Sequence, residues 1–396
     1  MDGRLASRVL LELTGTARPC DPARLRLLGQ DDWARLEAMA VQHRLAPLLH
    51  SLHKNNPAIP AATAERWRQA GRQSAMAALA QRADLVECTA LLKAGGHDPV
   101  ALKGAYLARH AYPAAAQRPM RDIDLLLPRG SVLAAYRLLL GSGYRAAYEA
   151  KISLEDVARF EAHMPPLIMP RGSVLELHAR LSELDGRLEY RTPAGNEERV
   201  LAGAIEVDGL CYPDPGEMLA HLVVHAIYGH RLDCGPLLLT DIHFLAASHK
   251  VDWPAFWSGA RSGGWEAGAR LVVELVRIYH GNSALPVTAD EPATPPAAIV
   301  ELALDLVLQN YETKNTARFM ATLMSGGVTR AFRRASGRIA ATGETSISID
   351  RQAEGGRLRW AADRFKHVWR EFSDPGVRRQ SRQLAQFRRW LERGAG

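Results

Sequence analysis

The sequence predicts an α+β fold: a small mixed β-sheet unit flanked by N-terminal helices and a mainly helical C-terminal region. Three observations carry that expectation. The 396 residues are 47% hydrophobic and 23% charged, which suits a globular chain able to bury a large core in roughly two to three units. Apolar residues recur at helical spacing on either side of a central stretch. Within that stretch the apolar runs are short and are stopped by Pro or Gly.

The first helical stretch opens with Asp31-Asp32 ahead of Trp33, Leu36, Met39 and Ala40, and continues through Leu45, Leu48 and Leu49. Acidic residues at its start suit the positive end of a helix. A longer helix is expected from about Ala61 to Leu92, closed by Gly95-Gly96, with Trp67, Met76, Leu79 and Leu85 in the core. The texture then changes. Pro99–Leu102 is an apolar run that turns at Gly104 into a helical AYLARHAY, which Pro113 ends. Asp122–Leu127 reads as a strand stopped by Pro128, and Ser131–Leu140 as a helix closed by Gly141-Ser142-Gly143. A short helix comes next at Leu154–Ala162. Pro166–Met169 and Ser173–Leu177 then form a hairpin about Pro170-Arg171-Gly172.

From Asp214 the pattern is helical again: Glu217–Tyr228, Leu237–Ala247, Trp253–Ser262, Trp265–Tyr279 and Ile299–Asn310, with Ala284–Pro296 as a loop. The segment Gly337–Gly356 reads as a loop or one short strand, and two last helices are expected at Arg357–Phe372 and Val377–Arg393. These elements divide the chain into an N-terminal helical region (1–96), an α/β domain (97–210), a helical domain (211–320) and a basic helical extension (321–396).

The formal charge of +7 is local. Ala321–Gly396 holds 16 basic and 7 acidic residues, and the rest of the chain is near neutral. The basic tail suits RNA or an acidic surface, with Trp360, Trp369 and Trp390 as stacking platforms, or else a solvated helical face packed on the body by those tryptophans. No apolar run approaches the length of a membrane span. The opening MDGRLASRVLLELTG, with Asp2 and Glu12, lacks a secretory pattern, so a cytoplasmic location is expected. Cys20, Cys88, Cys211 and Cys234 are scattered without a CxxC pair and read as ordinary thiols.

The chemistry concentrates at Lys103-Gly104, Arg118, Arg121, Asp122, Asp124 and Glu176. On an extended strand Asp122 and Asp124 share a face, where two carboxylates repel unless a cation lies between them. Oxygen ligands at that spacing suit Mg²⁺ or Mn²⁺. Glu176, on the hairpin strand, faces the way His178 does and supplies a third carboxylate; His178 itself reads as a satisfied or exposed histidine. Gly104 lets a backbone approach phosphate at a helix start, and Lys103, Arg118 and Arg121 add charge against a triphosphate. In a second cluster, Glu217, His221, His225 and His230 with Asp241, the first three are spaced four apart on one helical face, which allows a metal site, but the histidines read first as lining a cleft or packing between helices. Leu222 stands where an HExxH site needs glutamate, and on a regular helix His230 falls half a turn from His221. Walker A, GxGxxG and GxSxG motifs are absent.

The stretch ALKGAYLARHAYPAAAQRPMRDIDLLLP resembles the DNA polymerase beta-like nucleotidyltransferase superfamily, and most of all a bacterial branch with an LKG segment and an arginine-flanked DIDLL strand. ELHARL and HLVVHAIYGH are similar to that branch as well. The resemblance implies transfer of a nucleoside monophosphate from an NTP, ATP among them, to a hydroxyl-bearing acceptor, with release of pyrophosphate. Catalysis would use two metals, with Asp122 and Asp124 as their ligands and Glu176 completing the site as third ligand or base. Where that superfamily commonly carries Gly-Ser or Gly-Gly, this chain has Gly104-Ala105. The acceptor, whether small molecule, peptide, protein or RNA, is left open. The rival expectation is a non-catalytic protein that binds nucleic acid or a partner on a degenerate fold of this kind.

Overall fold

Apolar periodicity in the first part of the chain becomes five helices: α1 (Arg4–Thr14), α2 (Pro22–Arg26), α3 (Gln30–Gln42), α4 (Ala46–His53) and α5 (Ala61–Ala94). The computed structural model describes residues 4–17, 20–150, 152–182, 196–324 and 370–393. The chain starts α2 with Asp21, whose carboxylate accepts from the Ala23 N–H, with Pro22 at the first helical position. Helix α5 stops at Gly95, and Gly96 takes the left-handed conformation (φ +79°).

Helix α5 buries Trp67, Leu85, Cys88 and Leu92, whereas Met76 and Leu79 are 71% and 70% exposed. The expectation that all four apolar side chains lie in the core fails for those two. Ser74 and Gln81, seven residues apart and in step with Trp67, carry the inner stripe, and positions 76 and 79 rotate to the far side. Both polar residues have work on that inner face. Ser74 Oγ donates to the Ala116 carbonyl at 2.7 Å and Gln81 Nε2 to that of Met120 at 3.2 Å, so α5 pins the loop that carries Arg118 and Arg121.

The central stretch forms one seven-stranded mixed sheet. Its strands are β1 (Val100–Ala101), β2 (Ile123–Leu126), β3 (Arg145–Ala146), β4 (Leu167–Ile168), β5 (Val174–His178), β6 (Ile205–Val207) and β7 (Leu210–Tyr212), in the order β3-β4-β5-β2-β1-β7-β6. β2 lies parallel to β5 and antiparallel to β1, and β7 runs parallel beside β1. Between the strands lie α6 (Gly104–Tyr106) with a wider π turn (Leu107–Ala111), α7 (Val132–Gly141), α8 (Leu154–Phe160) and α9 (Glu197–Ala202). The expected β4–β5 hairpin is present, with Gly172 at φ +92°. The β6–β7 hairpin was not expected. It turns on Asp208 and Gly209, both left-handed (φ +52° and +77°), which suits a tight two-residue hairpin turn.

The helical remainder comprises α10 (Pro215–Val224), α11 (Leu237–Ser248), α12 (Trp253–Ser262), α13 (Glu266–His280), α14 (Ala297–Val307), a helical segment at 314–324 and a C-terminal helix, Pro375–Arg393. The C-terminal helix lays Val377, Leu384, Phe387 and Leu391 inward and packs against α14. Trp390 is partly buried on the core and stacks on Phe387 with ring centroids 6.1 Å apart, which leaves it poorly placed as a platform for bases. Trp360, Trp369 and the segment 337–356 lie outside the described residues. One apolar core runs from α1 to the C-terminal helix, and a small second one (Val100, Leu102, Leu126, Val200) lies between the sheet and α9. Among the described residues, no helix is long and apolar enough to cross a membrane.

Candidate active site

Strands β2 and β5 build the acidic wall of the site. Their parallel register sets Asp124 beside Glu176 and Leu126 beside His178. Alternation then places Asp124, Glu176 and His178 on one face and sends Ile123, Leu125, Leu175 and Leu177 into the core. Asp124 is buried and doubly held. His178 Nε2 donates to its Oδ1 at 2.8 Å, and Lys103 Nζ lies 3.3 Å from Oδ2. Lys103 reaches it from the turn after β1, where its backbone is left-handed (φ +45°), a costly conformation for a residue with a side chain. Gly104 is required for a different reason. A Cβ there would come within 2.8 Å of the Met120 side chain and 2.9 Å of Arg118 Nη1, so the Met120–Arg118 layer closes directly over the backbone where an open phosphate cradle was expected.

The charges are unevenly shared. Burial would raise the Asp124 carboxyl, but Lys103 and His178 outweigh it and hold the group far below the usual carboxylate range. Burial would lower His178, and its hydrogen bond to Asp124 and the nearby Glu176 carboxylate instead lift it to about 9. Glu176 is drawn down against the cost of its burial by His178, at 3.6 Å, and by His163, at 4.0 Å. Asp122 is different: burial first, then Asp124 and Glu176, push it up. Its carboxylate has no hydrogen-bond or ion-pair partner among the described residues and lines the same cleft.

Ligand atoms of Asp124, Glu176 and His178 all lie within 4.8 Å of one another, and Asp122 stands outside that close group. The carboxylates of Asp124 and Glu176, with that of Asp122 alongside, could hold a divalent ion of the Mg²⁺ or Mn²⁺ class, while His178, as a proton donor to Asp124, orients them. His178, expected as a satisfied or exposed histidine, is buried and satisfied by Asp124, and it stands within this group. The signal that identifies it is its two-residue offset from Glu176 on one strand.

The basic residues divide in the same way. Arg118 lines the cleft, but its guanidinium is clamped by Asp241 of α11 at 2.8 and 3.0 Å, and the Tyr112 hydroxyl donates to the same carboxylate at 2.7 Å. Arg121 is exposed, its guanidinium 5.4 Å from the Tyr311 ring centre. Arg44 had no place in the sequence reading. It lies just past α3 with a left-handed backbone (φ +57°), and its Nη1 donates to the Pro119 carbonyl at 3.2 Å. Its Nε is buried without a hydrogen-bond partner. Burial, then Arg121 and Arg118, push its guanidinium down to about 10. Neither Arg44 nor Arg121 forms an ion pair among the described residues, and Asp122 only partly offsets the charge of Arg44, so two neighbouring guanidiniums line the cleft.

The other wall comes from α10 and the irregular segment after it. Glu217 pairs with Arg199 at 2.7 Å, which removes it from the expected histidine face. His221 is buried and held neutral, down to about 3, by burial first and then by Lys103. After Val224 the helix widens into a π turn, His225–Gly229, and Arg231 and Leu232 are both left-handed (φ +50° and +66°). The regular-helix argument that set His230 half a turn away therefore fails. The π turn brings its ring within 4.2 Å of that of His225. Cys234 joins them, with ligand atoms of all three residues within 4.8 Å of one another. Burial keeps His225 neutral and pushes the Cys234 thiol up to about 12. The two walls enclose a single cleft of about 810 Å³.

The mixed sheet thus aims its carboxylates into a cleft that two guanidiniums also line. The family described as uncharacterised nucleotidyltransferase matches residues 29–281, well over half of the chain, and the chain belongs to that family. No curated protein and no solved structure matches it.

Proposed function

We propose that this protein transfers a nucleoside monophosphate from an NTP to a hydroxyl-bearing acceptor and releases pyrophosphate. The observation that carries the reading is Asp122: a carboxylate with no hydrogen-bond or ion-pair partner among the described residues, lining one cleft with Asp124 and Glu176, in a chain of a nucleotidyltransferase family. A divalent metal, Mg²⁺ or Mn²⁺, held by Asp122, Asp124 and Glu176, would draw charge from the reacting phosphate and the departing pyrophosphate. Arg44 and Arg121 bind the triphosphate, whose charge supplies the ion pair that neither forms among the described residues. Lys103 holds Asp124 ionised and in place. Arg118, fixed by Asp241, braces the loop from which Arg121 and Asp122 project. Glu176 takes the proton of the acceptor hydroxyl; that oxygen bonds the α-phosphorus, and the bond from phosphorus to the bridging oxygen breaks.

The test offers each α-³²P-labelled NTP with Mg²⁺ or Mn²⁺, and pooled RNA, cell extract or the protein itself as acceptor. Metal-dependent label that disappears in Asp122→Asn/Asp124→Asn supports the proposal and identifies the acceptor class. A folded sample that neither binds NTP nor transfers label, yet binds RNA with steep salt dependence, would instead make this a binding protein.

A further inference from the structure

We propose that His225, His230 and Cys234 form a second metal site in the wall of the same cleft, one that takes a zinc-class ion through two imidazoles and a thiolate. This site is separate from the carboxylate group in both residues and chemistry. Oxygen-rich ligands favour hard ions such as Mg²⁺, whereas a thiolate with imidazoles selects Zn²⁺ and its neighbours.

Four observations support it. The three ligand atoms lie within 4.8 Å of one another, a separation that two donors on one tetrahedral ion approach by small side-chain adjustment. Asp233 receives His230 Nδ1 at 2.8 Å, which leaves Nε2 for the metal. A carboxylate behind the outer nitrogen is the arrangement that orients metal-bound histidines and raises their basicity. Asp233 is itself fixed by Arg318 at 2.8 Å and Lys314 at 3.3 Å, so the brace is rigid. The ring of His225 makes no hydrogen bond among the described residues, and all three ligands are half-buried and line the cleft, so an ion can reach them.

The backbone supplies the remaining argument. A π turn that leads into two left-handed residues with full side chains costs about 1–3 kcal/mol per strained residue. Such turns recur at functional sites. Here the irregularity has one evident product, the approach of His230 and Cys234 to His225. Three protein ligands leave a fourth position for water or for a donor atom of whatever occupies the cleft.

The experiment uses the full chain stripped of metal, and neither nucleotide nor acceptor. Equilibrium dialysis against Zn²⁺ measures stoichiometry and affinity, and Co²⁺ serves as a spectroscopic stand-in. The proposal expects a thiolate-to-cobalt charge-transfer band in the wild-type protein. It also expects loss of that band in Cys234→Ser, its persistence in Asp122→Asn/Glu176→Gln, and about 10- to 100-fold weaker Zn²⁺ binding in Asp233→Asn. Absence of the band in the wild-type protein overturns the proposal without recourse to any variant. So does Zn²⁺ affinity that is the same in Cys234→Ser, or zinc that is lost only with the carboxylates. No readout here involves transfer, so the site stands or falls independently of the nucleotidyl reading.

Discussion

The two walls of the cleft are built on opposite principles. The acidic wall rests on adjacent parallel strands, where a two-residue period places Asp124, Glu176 and His178 side by side without distorting the backbone. The histidine wall rests on a helix that has lost its period, through a π turn and two left-handed residues. Charge differs as well. Asp124 is paired directly with Lys103 and His178, whereas Arg44, Arg121 and Asp122 form no ion pair among the described residues and offset one another only at a distance. Groups that are paired hold the fold, and groups left unpaired mark where a ligand belongs.

Single substitutions sharpen that contrast. The largest effect is expected on activity: Asp122→Asn lowers nucleotidyl transfer by at least about 10²–10³-fold, the scale of removing one group that stabilises the transition state. It leaves the melting temperature unchanged or higher, because it removes a carboxylate crowded by two others. Asp124→Asn also abolishes transfer, but it strips buried Lys103 and His178 of their anion and lowers stability by about 3–5 kcal/mol. Equal stability of the two variants in urea titrations would remove the distinction between paired and unpaired groups.

A pH experiment tests the helical side of the molecule. His280, against His243, and His43, beside Arg121, are pushed down by burial to about 3 and about 4 from an ordinary 6.5. Each is neutral when folded, so the unfolded chain binds the extra proton and stability falls as pH drops below 6.5, by up to about 2 kcal/mol per histidine at pH 5. His280→Gln should flatten the difference between urea midpoints at pH 7 and pH 5. The smallest effect is expected at the guanidiniums of the cleft. Arg121→Gln weakens NTP binding about 10-fold and reduces its salt dependence, with no loss of stability, as one charge-assisted contact of roughly 1.5 kcal/mol predicts.

Legibility in the sequence divides along the same line. That Asp122, Asp124 and Glu176 line one cleft is legible because strand alternation is a local rule and the apolar partners Ile123, Leu125, Leu175 and Leu177 report it. The parallel approach of β7 to β1 is not, since it joins residues over a hundred positions apart through strands of two and three residues, too short to carry a pattern. Arg44 escaped because its place in the cleft comes from tertiary packing of an N-terminal helix end. The approach of His230 and Cys234 to His225 is not legible, because a regular-helix period misses the π turn that produces it. Met76 and Leu79 show the reverse error, in which apolar type alone suggested burial that helical phase denies.

Helix α1 has a practical consequence for anyone who handles this protein. The family match begins at residue 29 and ends at 281, yet Val9, Leu10, Leu11 and Leu13 of α1 are fully buried. Arg8 is tied to Glu301 and Asp305 at 2.7 and 3.3 Å, on the far side of both limits. A fragment cut at the family boundaries would lose α1 together with α14 and the C-terminal helix, baring the greasy surfaces they cover. Such a fragment should come out of expression as insoluble material, and the folding unit to clone is wider than the homology unit at both ends.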